Sequence, residues 1–293
     1  MFRPTGAYTA IVTPMTAEGH VDEAGLRRLV DFQIEGRIDG LVAVGTTGES
    51  ATLSKEEHLR VVQVVIEQAA GRVPVIAGVG SNDTRVTLAM TRAALELGAD
   101  AGLVVVPYYN KPSQEGMFRH FSAVADVGLP VMLYNVPGRT VVSISAQTVG
   151  RLAPHPNIVA IKEASANMSL GTAILEAAGD HITHLSGDDF TTFPYVAIGG
   201  HGCVSVVSNI APGLMHDLVD AASKGDLEKA RPLHQKATRL ARLCFSDSNP
   251  APTKHMLSLM GICGADLRLP LAPIEPELAA KLEQGLREEG LLS

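Results

Sequence analysis

The run "IVAIKEAS", residues 158–165, places a lysine inside a stretch otherwise suited to a buried strand. Side chains alternate along a strand, so Ala160, Lys162 and Ala164 share one face, and if Ile161 packs toward surrounding helices, Lys162 points inward. Its small neighbours leave room for a reactant. An unpaired buried ammonium is costly, and surroundings that lower its proton affinity turn the amine into a nucleophile for carbonyl carbon. A structural ion pair with Glu49, Asp188 or Asp189 would satisfy the same lysine. Strand position alone does not separate these two readings.

Other polar clusters carry similar double meanings. In "GTTGES", residues 45–50, glycines permit a tight turn, and Thr46, Thr47 and nearby amides can cradle a carboxylate or simply cap a loop. Tyr108, Tyr109 and Tyr134 offer phenols that carry protons or pack. Arg139, in "PGRT", can grip a carboxylate with both arms of its guanidinium or sit idle on the surface. The ten histidines form no HExxH or HxH pattern, so no metal site is expected.

These residues need a frame. Eight short β-branched runs recur along the chain: "AYTAIVT", "GLVAVG", "VPVIAG", "AGLVVV", "PVMLYN", "NIVAIKE", "HITHLSG" and "GCVSV". Between them lie segments of helical periodicity, such as 22–35, 54–70, 82–97, 113–127 and 167–178. Ser54 ahead of Glu57 reads as a helix start, and Gly98 and Gly179 read as helix ends. Strands alternating with helices demand right-handed crossovers and a parallel sheet. An open doubly wound sheet competes, but no GxGxxG follows the first strand and no GxxxxGK[ST] occurs. The pattern therefore predicts an α/β fold, a (β/α)8 TIM barrel over residues 1–224. A C-terminal helical extension over 225–293 follows, with helices at 227–245, 254–261 and 275–289 and the linker "SDSNPAPT". In such barrels the loops after the strands form the functional face, and every polar cluster named above follows or ends a strand.

The chain of 293 residues is 46% hydrophobic with a net charge of -7, and no long block of either sign suggests nucleic acid or an anionic membrane. No apolar stretch is long enough to span a bilayer and no leader pattern is evident, which predicts a cytoplasmic protein. Cys203, Cys244 and Cys263 form no CxxC pair and read as reduced and buried.

"GTTGES", "PYYNKPSQEG", "LYNVPGRT", "IKEAS" and "LSGDD", in this order and on these strands, resemble the dihydrodipicolinate synthase family, within the wider N-acetylneuraminate lyase superfamily. The likeness runs from "IVTPM" to "NPAPTK" and "LRLPLAPI". It implies a carbon–carbon lyase of the Schiff-base type that condenses pyruvate with aspartate 4-semialdehyde on the way to diaminopimelate and lysine, with no external cofactor. By position, Lys162 would form the imine, and Thr46 and Thr47 would hold the pyruvate carboxylate. Thr46, Tyr134 and Tyr109 would relay protons, Tyr109 reaching a neighbouring subunit's site. Arg139 would bind the semialdehyde carboxylate, while Gly187 and Val204 would line the pyruvate pocket. A homotetramer of tight dimers is implied.

Two departures stand out. Ser165 and Ala166 follow "KEA" where many synthases have Thr-Gly, which leaves related sugar-acid aldolases as the alternative; Arg139 favours the semialdehyde. Members inhibited by lysine carry a histidine and a glutamate where this chain has Lys55 and Val86, although Ser50, Ala51, His58 and Asn82 match. Lysine feedback is therefore expected to be weak or absent. Two further classes compete: a glycoside hydrolase using Glu49, Glu163 and Asp188, which the absence of tryptophan disfavours, and a barrel that binds pyruvate without turnover.

Overall fold

The computed structural model describes residues 2–292. Eight strands, β1 (Gly6–Ala10), β2 (Gly40–Ala43), β3 (Val75–Gly78), β4 (Ala101–Val105), β5 (Val131–Asn135), β6 (Ile158–Glu163), β7 (Thr183–Ser186) and β8 (Gly202–Ser205), pair in sequence order and close into a barrel. Every pairing is parallel, including β1 with β8, where Tyr8 stands opposite Val204.

The period of two along each strand sorts the apolar residues into two cores. One gathers Tyr8, Val42, Ile76, Leu103, Met132, Tyr134, Ala160, Leu185 and Val204, inward positions drawn from all eight strands. The other packs Leu41, Ala77, Val104, Leu133, Ile161 and Cys203 against the surrounding helices. Fully burying each such Leu, Ile or Val contributes about 1.5–3 kcal/mol. Ile161 and Ala160 fall in different cores, so the facing assigned to Lys162 holds.

Helix boundaries follow local chemistry. Ser54 and Glu57 form a reciprocal capping box at the start of the helix Lys55–Ala69. Gly179 ends Met168–Ala178, and Gly98, at φ 84°, follows Thr84–Glu96. After β8, the helices Pro212–Ser223, Leu227–Cys244, Ala251–Leu259 and Pro276–Glu288 complete the chain.

Two expectations are corrected. The helix foreseen at 254–261 begins at Ala251 and ends at Leu259. A proline in a first helical turn needs no intrahelical N–H partner, so "PAP" starts this helix instead of belonging to a linker. The segment "PGRT", which follows β5 where a connecting loop is expected, is one helical turn, Pro137–Thr140, with Arg139 in it. Short helices at Ala146–Leu152 and Thr192–Ala197 also went unforeseen. Among the described residues no helix is long and apolar enough to cross a membrane.

Candidate active site

Lys162 is 5% exposed and lies one residue from the carboxyl end of β6. The ladder sets it directly opposite Tyr134 of β5 and Leu185 of β7. Its Nζ stands 4.3 Å from the centroid of the Tyr134 ring. Electrostatic attraction between an amine cation and an aromatic face suits that placement.

Among the described residues, the carboxylates that might have neutralised Lys162 are engaged elsewhere. Glu49 accepts a 2.7 Å bond from Lys254 Nζ. Asp188 accepts from Thr191 Oγ1 at 2.8 Å. Asp189 accepts from Ser205 Oγ at 2.5 Å and from the Val206 amide at 3.0 Å, and its burial pushes its pKa up. Glu163, on the opposite face from Lys162, accepts from Asn135 Nδ2 at 2.8 Å and from the Ser165 amide at 2.6 Å. Of the two readings of the lysine, the structural ion pair is thus removed.

Gly187 provides clearance beside the amine. A Cβ at this position would fall 2.8 Å from both Cγ and Cε of Lys162 and 2.7 Å from the Ala164 Cβ. Val204, 1% exposed, belongs to the same inner cluster as Tyr134 and Leu185.

The turn after β2 is held in an unusual backbone. Val44 at φ 53° and Glu49 at φ 56° both occupy the left-handed region, a costly state for a β-branched residue that surrounding contacts must enforce. Gly78 permits it: a Cβ there would meet the Val44 carbonyl oxygen at 2.1 Å. Thr13 Oγ1 donates to the Gly48 carbonyl at 2.7 Å. Thr47 is 4% exposed, and its Oγ1 accepts from Asn249 Nδ2 at 2.9 Å. Thr46 is half-buried, with no side-chain bond among the described residues.

Arg139 is exposed, and its guanidinium has no hydrogen bond or ion pair among the described residues. Its free fork at the end of β5 suits capture of an anion. Tyr109, 87% exposed at φ 73°, stands away from the buried cluster and is not packed around Lys162. Among the described residues no group of three or more His, Cys, Asp or Glu is arranged to hold a metal ion, and all three cysteines are free and buried.

Sequence reasoning missed the residues that brace the turn: Asn249, Lys254 and Arg268. Lys254 and Glu49 make a pair whose side chains are both 0% exposed. Burial lowers the pKa of Lys254 and the Glu49 charge opposes that shift. Arg268 donates from its backbone to Glu49 at 3.3 Å and from its guanidinium to the Thr52 carbonyl at 2.8 Å. The available signals were "NPAPTK", which holds Asn249 and Lys254, and "LRLPLAPI", which holds Arg268; both carried the likeness without a role.

Fold and site together define a parallel (β/α)8 barrel with a buried amine, Lys162, that has no carboxylate partner among the described residues, at its carboxyl-end mouth. The chain belongs to the dihydrodipicolinate synthetase family, whose model matches residues 3–289. It is 54% identical over 288 residues to a 4-hydroxy-tetrahydrodipicolinate synthase of a Geobacter species, covering 98% of this chain and 99% of the relative. A Trichlorobacter lovleyi protein of the same name is 52% identical with the same coverage. The crystal structure of a dihydrodipicolinate synthase from Acinetobacter baumannii complexed with pyruvate superposes with a TM-score of 0.96 at 44% identity, covering 98% of this chain and 99% of that one.

Proposed function

We propose that this chain condenses pyruvate with aspartate 4-semialdehyde to 4-hydroxy-tetrahydrodipicolinate through an imine on Lys162. The observation that carries the reading is the amine itself: buried, free of any carboxylate partner among the described residues, beside a phenol and with clearance at Gly187.

The chemistry runs in four steps. Lys162 Nζ adds to C2 of pyruvate, and the carbonyl oxygen leaves as water to give an iminium. The iminium draws electrons from C3, a methyl proton is lost and an enamine forms. The enamine C3 then bonds to the aldehyde carbon, whose oxygen takes up a proton. Finally the amino group of the semialdehyde adds to C2, closes the ring and expels Lys162 as a free amine. No external cofactor enters this balance.

The remaining residues take roles by position. Thr46 and Thr47 hold the pyruvate carboxylate, Tyr134 relays protons with Thr46 and Tyr109, and Val204 and Gly187 shape the pocket. Arg139 receives the carboxylate of the semialdehyde, supported by its free guanidinium. Tyr109, exposed in a strained loop, serves a neighbouring subunit in a tetramer built from tight dimers.

A coupled assay comparing aspartate semialdehyde with sialic and 2-keto-3-deoxy sugar acids, on the parent and on Arg139→Ala, tests the assignment. Turnover of the semialdehyde alone, lost in Arg139→Ala while pyruvate still forms an imine, is the expected result. Turnover of the sugar acids at a matching rate would overturn it.

A further inference from the structure

The C-terminal extension reaches back to the turn that ends β2 through three residues. Asn249 bonds Thr47, Lys254 bonds Glu49, and Arg268 bonds Glu49, Thr52 and Glu57. The side chains of Glu49 and Lys254 are both 0% exposed, so this strut between a barrel loop and a helix of the extension lies wholly inside the protein. Removing either partner leaves an uncompensated buried charge, which makes the connection rigid.

The direction of the Asn249 bond matters more than its existence. A threonine hydroxyl has one hydrogen to give and lone pairs to receive. Asn249 Nδ2 donates to Thr47 Oγ1 at 2.9 Å and so occupies a lone pair. The hydroxyl hydrogen is left over, and it has no acceptor among the described residues. The bond to Thr47 is also the one side-chain hydrogen bond of Asn249 among the described residues; its Oδ1 is buried without a partner. An amide that is 7% exposed and is committed to a single neighbour fixes that neighbour's orientation.

We propose that Asn249 is a positioning residue: it sets the polarity of the Thr47 hydroxyl so that its hydrogen is presented to the carboxylate of pyruvate, while the Glu49–Lys254 pair holds the strained turn at the required place. This rests on the assignment of Thr47 as a carboxylate ligand given above. A hydroxyl already accepting a bond loses less freedom when it donates to an incoming anion, so the gain falls on pyruvate capture and not on the later carbon–carbon step. The extension thereby contributes to substrate affinity without touching substrate.

The test is a double-mutant cycle on the full-length enzyme, read as KM for pyruvate, KM for the semialdehyde and kcat at saturation, with thermal unfolding to verify folding. Thr47→Val is expected to raise the pyruvate KM by about tenfold or more, the scale of one hydrogen bond to a charged group. Asn249→Ala raises it less, and Asn249→Asp, which demands the Thr47 hydrogen for itself, raises it more than Asn249→Ala; kcat and the semialdehyde KM stay close to the parent's. In the Thr47→Val background, Asn249→Ala adds nothing. Independent, multiplying losses in the double variant overturn the inference, as does an unchanged pyruvate KM in both Asn249 variants. A raised KM in Thr47→Val beside unaffected Asn249 variants rejects the positioning role alone. An unchanged KM in Thr47→Val rejects the carboxylate assignment beneath it.

Discussion

Lys162 and Tyr134 are direct partners across the β5–β6 ladder, with the lysine Nζ 4.3 Å from the centre of the phenol ring. Ring and hydroxyl offer separate contributions: the face attracts a cation, while the hydroxyl is the group that passes protons in the proposed relay. Tyr134→Phe keeps the first and removes the second. Its kcat is expected to fall by about 10²- to 10⁴-fold, the usual worth of a positioned proton donor, while borohydride with pyruvate still adds permanent mass. Lys162→Ala should show no such adduct; peptide mass mapping after reduction locates the modification, and an adduct elsewhere in the chain would reject Lys162 as the reacting amine.

Crowding at Gly187 gives a second prediction. An added Cβ lies 2.7–2.8 Å from Ala164 and from the aliphatic stem of Lys162, too close for any real contact, and the stem is the part able to yield. Gly187→Ala is expected to displace the amine and slow borohydride trapping with pyruvate, and to cost about 1–3 kcal/mol of stability from overpacking. Urea unfolding and the trapping rate measure the two effects on one sample. Normal trapping would mean that the lysine needs no clearance there.

Acid stability should report on the Arg268 clamp. The Arg268 guanidinium donates to both oxygens of Glu57, and hydrogen bonding to it is the main cause that pulls the Glu57 pKa from 4.5 down to about 2. Because the folded value lies below the unfolded one, the unfolded chain binds more protons in this window and stability falls as pH falls. The contribution is complete above about pH 4.5 and disappears toward pH 2. Glu57→Gln removes this titration, so its urea midpoint should drop less steeply than the parent's between those values; parallel curves would contradict the assignment. The partly exposed setting of the pair limits the size of the difference.

Regulation by lysine is expected to be weak. Lys55, Asp83, Arg85, Val86, Ala89 and Met90 line a surface hollow of about 380 Å³, and Asp83 is already paired with Arg85 at 3.0 Å. Val86 offers nothing to an effector's ammonium and Lys55 repels it. Steady-state rates should be insensitive to submillimolar lysine, and the double substitution Lys55→His and Val86→Glu should increase sensitivity. Strong inhibition of the parent would show that the missing anion is supplied from somewhere else.

Much of this protein was written in local patterns. Short β-branched runs marked eight strands, helical periodicity marked most crossovers, and a charge inside "IVAIKE" singled out Lys162, because each signal depends only on near neighbours in the chain. Short helices such as Thr192–Ala197 and the single turn Pro137–Thr140 escaped, being too brief to display a period. The choice between nucleophile and ion pair at Lys162 was undecidable from the sequence, since it turned on where Glu49, Asp188 and Asp189 go. Glu49 goes to Lys254, 205 residues away, and Thr47 receives Asn249 across a comparable separation of 202. Spacing along the chain says nothing about such pairs. Only closure of the barrel and docking of the C-terminal helices bring them within bonding distance, and that docking leaves one buried amine without a partner among the described residues.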